Sequence, residues 1–392
     1  MIEGEVASVE DMTTKLSEKR PYYFQLDVLK AIAIAFVVMD HSLTWEIKGA
    51  MGSIFWERLS IPFFLIVMGF NMGISFKYRN PRCLRELYSL SYFKRKLKRY
   101  GLPFIVLYMA SIIVGINVGY INTNEYLLLG YLPFWGPGNW FIPLLFSSIL
   151  VFPLIYWLFE KQPTVTMVLC FLSEIVLQYF LWFLYPAATS DFDRFVISVI
   201  RVNILFFLPA VALGLWFSKG FDLRKRRNWF MYLYAPISIV FMIDYATISS
   251  LTGRGIIGSL PNQIGEFFAF VQDFIKGDYT LVFYGYAALL FLFAMEMINN
   301  TTTGLITRFI QRIGNSTYHI LLFQIFWMSL VYWSVTPDAV YYAYIPDFEA
   351  LLGWPNPLFY IPFYLYNLVI SFTGGLVWYE VEKRLLYSQK LE

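Results

Sequence analysis

A chain of 392 residues that is 58% hydrophobic, 20% aromatic and only 15% charged lies far from the roughly one quarter charged residues of a soluble globular domain. It reads as one polytopic membrane domain, because apolar spans use up nearly all the length and leave no room for a second soluble domain of ordinary size. The net charge of +3 comes from cations gathered in a few loops rather than from a basic folded face, so nucleic acid is excluded as a partner.

The first twenty residues, MIEGEVASVEDMTTKLSEKR, mix both signs of charge without an apolar core. They form no secretory signal, and residues 1–22 are expected to be a flexible cytoplasmic tail. Spans of bilayer length are predicted at 26–45, 54–76, 99–119, 140–159, 164–185, 195–217, 229–250, 280–298, 316–335 and 358–381. This is an all-α transmembrane bundle of about ten helices. Proline-rich spans, such as the one holding Pro143 and Pro153, are expected to be kinked or reinforced by neighbours.

The first span, QLDVLKAIAIAFVVMDHSLTW from Gln25 to Trp45, carries ionisable groups at chosen depths. Eleven residues separate Lys30 from His41, which turns a helix through three revolutions plus about 20° and lifts it about 16 Å. The two therefore share a face, with Asp27 within about 40° of it and Ile34 and Val38 between. Ionisable groups at that depth are functional candidates, because burying them in hydrocarbon is expensive without a cavity or a partner. His41 is one of only two histidines and has the side chain best suited to take a proton from a hydroxyl and return it. A histidine near a helix end can equally be a hydrogen-bonded interface residue.

The loop between the second and third spans holds Lys77, Arg79, Arg82, Arg85, Lys94, Arg95, Lys96, Lys98 and Arg99, and the loop between the sixth and seventh holds Lys219, Arg224, Lys225, Arg226 and Arg227. Residues 120–139 and 336–357 hold no Lys or Arg, so the positive-inside rule puts both termini in the cytoplasm, with 386–392 a short cytoplasmic tail. The longer outer loops, 251–279 and 336–357, are expected to cap the outer mouth. In the second span Gly69 and Gly73 form a small-xxx-small pair suited to close helix packing. Arg95, Lys98 and Arg99 fall at i, i+3 and i+4 and share a helix face. Such a face suits phosphates, and it equally suits anchoring to anionic lipid. Glu174, Gln178, Arg201, Asn203, Asp244 and Glu296 are further intramembrane polar groups, structural or cavity-lining. Cys83 and Cys170 are expected to be free, and no metal-ligand spacing, Gly-rich phosphate loop or Ser-His-Asp arrangement is present.

LDVLKAIAIAFVVMDHS resembles the first helix of the acyltransferase-3 family of integral-membrane acyltransferases, with Lys30 at the family's arginine. The resemblance extends to IPFFLIVMGF, with Met68 at the family's serine, to the basic run YFKRKLKRYGLPF ending at Pro103, to the pair Trp140 and Phe141, to GNSTYHILLFQ, and to the terminal WYEVEKRLL. In GNSTYHILLFQ, Phe323 stands where the family often has a histidine and His319 is displaced by one turn. Residues 23–385 would then be one acyltransferase-3-like domain in the cell membrane. The reaction implied moves an acyl group, acetyl foremost, from cytoplasmic acyl-CoA to a hydroxyl of a carbohydrate or glycolipid, without a metal. The resemblance implies His41 as general base, Lys30 steadying a phosphate, the thioester region or a neighbouring acid such as Asp27, and Arg95, Lys98 and Arg99 holding the donor head group. The rival reading is a transporter or flippase in which His41 relays protons; the Gly/Pro breaks in matching halves that would favour it are absent from the sequence.

Overall fold

The computed structural model describes residues 20–119, 121, 127, 129–134, 136–248, 254–275, 277–300, 303–335 and 357–388. Residues 1–19, 336–356 and 389–392 lie outside the described residues, so the expectations of a cytoplasmic tail at either end and of an outer cap at 336–357 fall almost wholly there. Among the described residues there is no strand. The chain folds as α1 (Phe24–Asp40), α2 (Trp45–Ala50), α3 (Ser53–Lys77), α4 (Leu84–Leu87), α5 (Leu90–Lys96), a π-helical turn (Leu97–Gly101), α6 (Leu102–Asn117), α7 (Phe141–Lys161), α8 (Pro163–Ala187), α9 (Asp191–Arg201), α10 (Leu208–Phe217), α11 (Met231–Ala246), α12 (Gln263–Phe274), α13 (Leu281–Met297), α14 (Leu305–Val335) and α15 (Pro357–Ser388).

Each apolar segment read from the sequence falls on a helix, and among the described residues six helices are long and apolar enough to cross a membrane. A seventh span follows if α9 and the bent run Ile204–Phe217, which meet at 46°, count as one. The helices that fall short include those carrying the site. α1 has only 17 residues and holds Asp27 and Lys30, while α14 interrupts its apolar run with His319 and Gln324. On α6, Ile105, Val106, Met109, Ile113 and Ile116 are each at least half exposed and lie along one face, the pattern of a surface solvated by lipid tails.

α1 is central, packed on both α3 and α14. Its start is fixed by Asn300, whose Oδ1 accepts from the Phe24 N–H at 2.8 Å and whose Nδ2 donates to the Tyr22 carbonyl at 2.7 Å. Its end comes at Asp40, five residues before the predicted boundary, because Ser42 Oγ turns back to donate to the Val38 carbonyl at 2.7 Å and the chain restarts as α2. His41 is thus the C-cap of α1 rather than an interior residue.

α3 and α10 make the most extensive helix contact in the bundle. A Cβ on Gly69 would overlap the Val211 carbonyl, one on Gly73 the Ser218 side chain, and one on Gly214 the Ile66 carbonyl. The small-xxx-small pair is therefore a packing device, completed by a glycine on the partner helix. Gly69→Leu should destabilise the bundle by about 3 kcal/mol or more, since the clash is with backbone that cannot rotate away. A thermal melt of the purified protein checks this, and an unchanged midpoint would show that the helices do not meet there.

α7 runs through Pro153, which leaves the Ile149 carbonyl without its helical donor. Tyr92 supplies one, its hydroxyl donating to Ile149 O at 2.9 Å. The intramembrane polar groups also act as joints. Glu174 accepts from the Leu281 N–H at 2.7 Å, which places an acid at the positive end of α13, and Asp244 accepts from the N–H groups of Ile257 and Gly258 and from Gln272. Glu296 accepts from the Leu223 N–H at 2.8 Å and Arg201 donates to the Tyr185 hydroxyl at 2.7 Å.

Candidate functional site

The start of α1, α3, the run from α5 into α6, the middle of α14 and the end of α15 meet at one end of the bundle and enclose two adjoining cavities of about 520 and 600 Å³. Both are lined by Lys30, Phe64, Met68, Arg95, Arg99, Tyr100 and Asn315. Volumes of this order suit a small organic ligand or cofactor. Lys98, Lys383, His319 and Glu382 add to the first, and Arg20, Asp27, Arg79 and Lys96 to the second.

The sequence places these cations through a break in helical register. Pro103 has no N–H for the Arg99 carbonyl, so the ladder opens into the π turn Leu97–Gly101 that carries Lys98 and Arg99. Tyr318 on α14 uses the opening, its hydroxyl donating to the Tyr100 carbonyl at 3.0 Å. Arg95, Lys98 and Arg99 still line one cavity, although the wider turn alters the spacing that a pure α-helix would give them.

The two carboxylates at this end are already engaged. Asp27 lies 2.6 Å from Lys30 Nζ and accepts from the Tyr22 hydroxyl, and Glu382 lies 3.0 Å from His319 Nε2. Lys30 also donates to the Gly314 carbonyl at 2.7 Å. Around them the cations crowd one another. Burial, and then the charge of Arg99, holds the Arg20 guanidinium below its ordinary pKa, and burial and then Arg95 do the same to Arg79. Arginine does not shed its proton in proteins, so a crowded guanidinium group is best relieved by a polyanion, which the paired fork geometry of arginine suits.

His41 does not line these cavities. It stands at the far end of α1, with Nδ1 3.7 Å from Asp40 Oδ2, and Asp40 is paired in turn with Lys48. The Tyr332 hydroxyl donates to the His41 carbonyl at 2.6 Å. A Cβ on Gly138 would lie 3.6 Å from His41 Nε2 and 3.6 Å from Gln324 Oε1, so these two side chains meet across that glycine. The lining of the first cavity includes Phe141 and Leu321, three positions from Gly138 and Gln324 respectively. Lys30, Asp27, Arg95, Lys98 and Arg99 are thus gathered at one end of the bundle, and His41 lies at the other end of α1.

A family model described as an acyltransferase domain matches residues 23–377. The chain belongs to the acyltransferase-3 family. No match was found among curated proteins or among solved structures. Several apolar helices and this membership make the protein an integral-membrane acyltransferase. The three departures from the family pattern have visible settings. Lys30 holds Asp27, Met68 lines both cavities, and the Phe323 ring fills the space beside Gly374, where a Cβ would strike it.

Several residues of this acyltransferase-3 protein escape a linear reading. Glu382 meets His319 from 63 residues away, and the His319 ring also makes edge contacts with Trp378 and Tyr379. Arg20 and Arg79 come from flanking loops, and Arg20 donates to Asn71 Oδ1 at 2.7 Å. Gln324 is wholly buried with both amide atoms lacking a hydrogen-bond partner, and Asn139 Nδ2 is in the same state. Trp140, which could have been an interfacial belt residue, is stacked between Phe207 and Tyr279.

Proposed function

We propose that the protein transfers an acyl group, acetyl foremost, from acyl-CoA in the cytoplasm to a hydroxyl of a carbohydrate or lipid-linked glycan. The observation that supports this reading is the pair of cavities lined by Lys30, Arg95 and Arg99, the first of which also includes Phe141 and Leu321, each three residues from the Gly138 and Gln324 that stand by His41. Coenzyme A carries a pyrophosphate and a 3′-phosphate that cannot enter hydrocarbon, and Arg95, Lys98 and Arg99 would hold them by charge-assisted hydrogen bonds at the mouth. The pantetheine arm is long and narrow enough to cross the remaining depth, which α1 measures as about 16 Å between Lys30 and His41. The thioester would then reach His41 from one side and the acceptor hydroxyl from the other. His41 would accept the hydroxyl proton as it attacks the carbonyl carbon, and would return it to the departing thiolate. Lys30, held by Asp27 and the Gly314 carbonyl, would keep a fixed positive charge at the neck of the passage.

This reading needs ten spans with both termini and the basic mouth in the cytoplasm of a cell membrane, as the loop charges require. Cys83 is exposed beside the basic loop and Cys170 is buried, which gives a native probe. In intact cells a membrane-impermeant maleimide should leave Cys83 unmodified and should label it once the membrane is permeabilised. A cysteine placed within 336–357 should label in both conditions. The reverse pattern would overturn the topology and the donor side together.

A further inference from the structure

Gln324 presents an unsatisfied amide at the place where the acyl group would react. Its residue is fully buried, and neither Nε2 nor Oε1 has a hydrogen-bond partner. On the same helix Ser316, Thr317 and Ser329 bond back to helix carbonyls, and Trp327 donates to Asn367 at 3.0 Å. An unpaired buried amide costs stability, and one pointed at a reaction site is a candidate for charge stabilisation. Gly138 supplies the gap. Its φ of +89° is natural to glycine, and the point its Cβ would occupy is 3.6 Å from both His41 Nε2 and Gln324 Oε1 and 3.5 Å from Ile325 Cγ1. A methyl-sized space is thus flanked by the imidazole on one side and the amide on the other. Since nothing holds either end of the amide, it is free to turn Nε2 towards that space.

We infer that Gln324 is a second catalytic residue, its amide N–H donating to the carbonyl oxygen of the thioester, an assignment that rests on the acyl transfer proposed above. As the acceptor oxygen bonds to the carbonyl carbon, its proton passes to His41 Nε2 and the carbonyl electron pair moves onto oxygen, where the Gln324 N–H meets the new negative charge. Collapse of this tetrahedral species re-forms the C=O bond and breaks the C–S bond. The thiolate leaves as coenzyme A after taking the proton from His41. The amide is assigned to the carbonyl oxygen rather than the acceptor hydroxyl because Gln324 follows Leu321, which lines the donor cavity, by three residues on the same helix.

The test compares Gln324→Met, Gln324→Glu and His41→Ala in the full chain, measuring turnover with acetyl-CoA, KM for acetyl-CoA and the melting midpoint. Gln324→Met should lower kcat by roughly 10²–10³-fold, the usual loss for one oxyanion donor. Its KM should stay within about threefold and its midpoint should hold or rise, because an unpaired polar group has been removed. Gln324→Glu, which keeps the size but no longer donates when ionised, should be at least as impaired. Turnover of Gln324→Met within threefold of the parent, with His41→Ala inactive, overturns this assignment and leaves the acyl transfer standing. Loss of activity together with loss of a cooperative melt in both Gln324 variants also overturns it and makes the amide structural. A parent protein that transfers nothing from acetyl-CoA defeats the acyl-CoA reading itself.

Discussion

His41→Ala should reduce acyl transfer by 10²–10⁴-fold, the contribution of a general base, or about 3–5 kcal/mol of barrier. The fold should survive the change. The bond that ties this position to α14 is made by the His41 backbone carbonyl, which accepts from Tyr332 and is retained in alanine. The side chain itself is 19% exposed and faces the Gly138 gap rather than filling a core. Steady-state transfer and a thermal melt, run on the same preparation, decide the matter. Near-normal turnover at a normal midpoint would remove His41 as the base and move attention to His319, the other histidine, which Glu382 already orients.

The second large effect is expected at the mouth. Replacing Arg95, Lys98 and Arg99 together by glutamine should weaken coenzyme A binding by roughly 10²–10³-fold. A charge-assisted hydrogen bond to phosphate contributes ~1.5–3 kcal/mol when shielded, and these three side chains are exposed, so ~1–1.5 kcal/mol each is the appropriate scale after solvent screening. Isothermal titration against coenzyme A and against its analogue lacking the 3′-phosphate separates the contributions, because the triple variant should no longer distinguish the two. Acceptor binding should change little. Unchanged coenzyme A affinity would return the cluster to anchoring anionic lipid and setting orientation.

Apolar runs of bilayer length declared the helices, and the helical period brought Lys30 into line with His41 and grouped Arg95, Lys98 and Arg99. The family resemblance on LDVLKAIAIAFVVMDHS and YFKRKLKRYGLPF then supplied a chemistry that periodicity could not. These features were legible because each depends on residues close together in the chain. Hydropathy says far less about which faces meet, since lipid and helix interior are equally apolar and no amphipathic stripe marks the contact. The crossing of α3 with α10 is set instead by backbone contact at Gly69 and Gly214, 145 residues apart in number.

By itself the sequence determined an all-helical membrane protein, the axis from Lys30 to His41 and the basic run before Pro103. Only the tertiary structure decided that α1 stops at Asp40, that Pro103 opens a π turn under Tyr318, that Arg20 and Arg79 join the mouth, that Glu382 takes His319, and that Gln324 faces His41 across Gly138. The reason is physical. A polar group in hydrocarbon is defined by the partner that satisfies it or by the lack of one, and in this bundle that partner comes from a helix tens to hundreds of residues away.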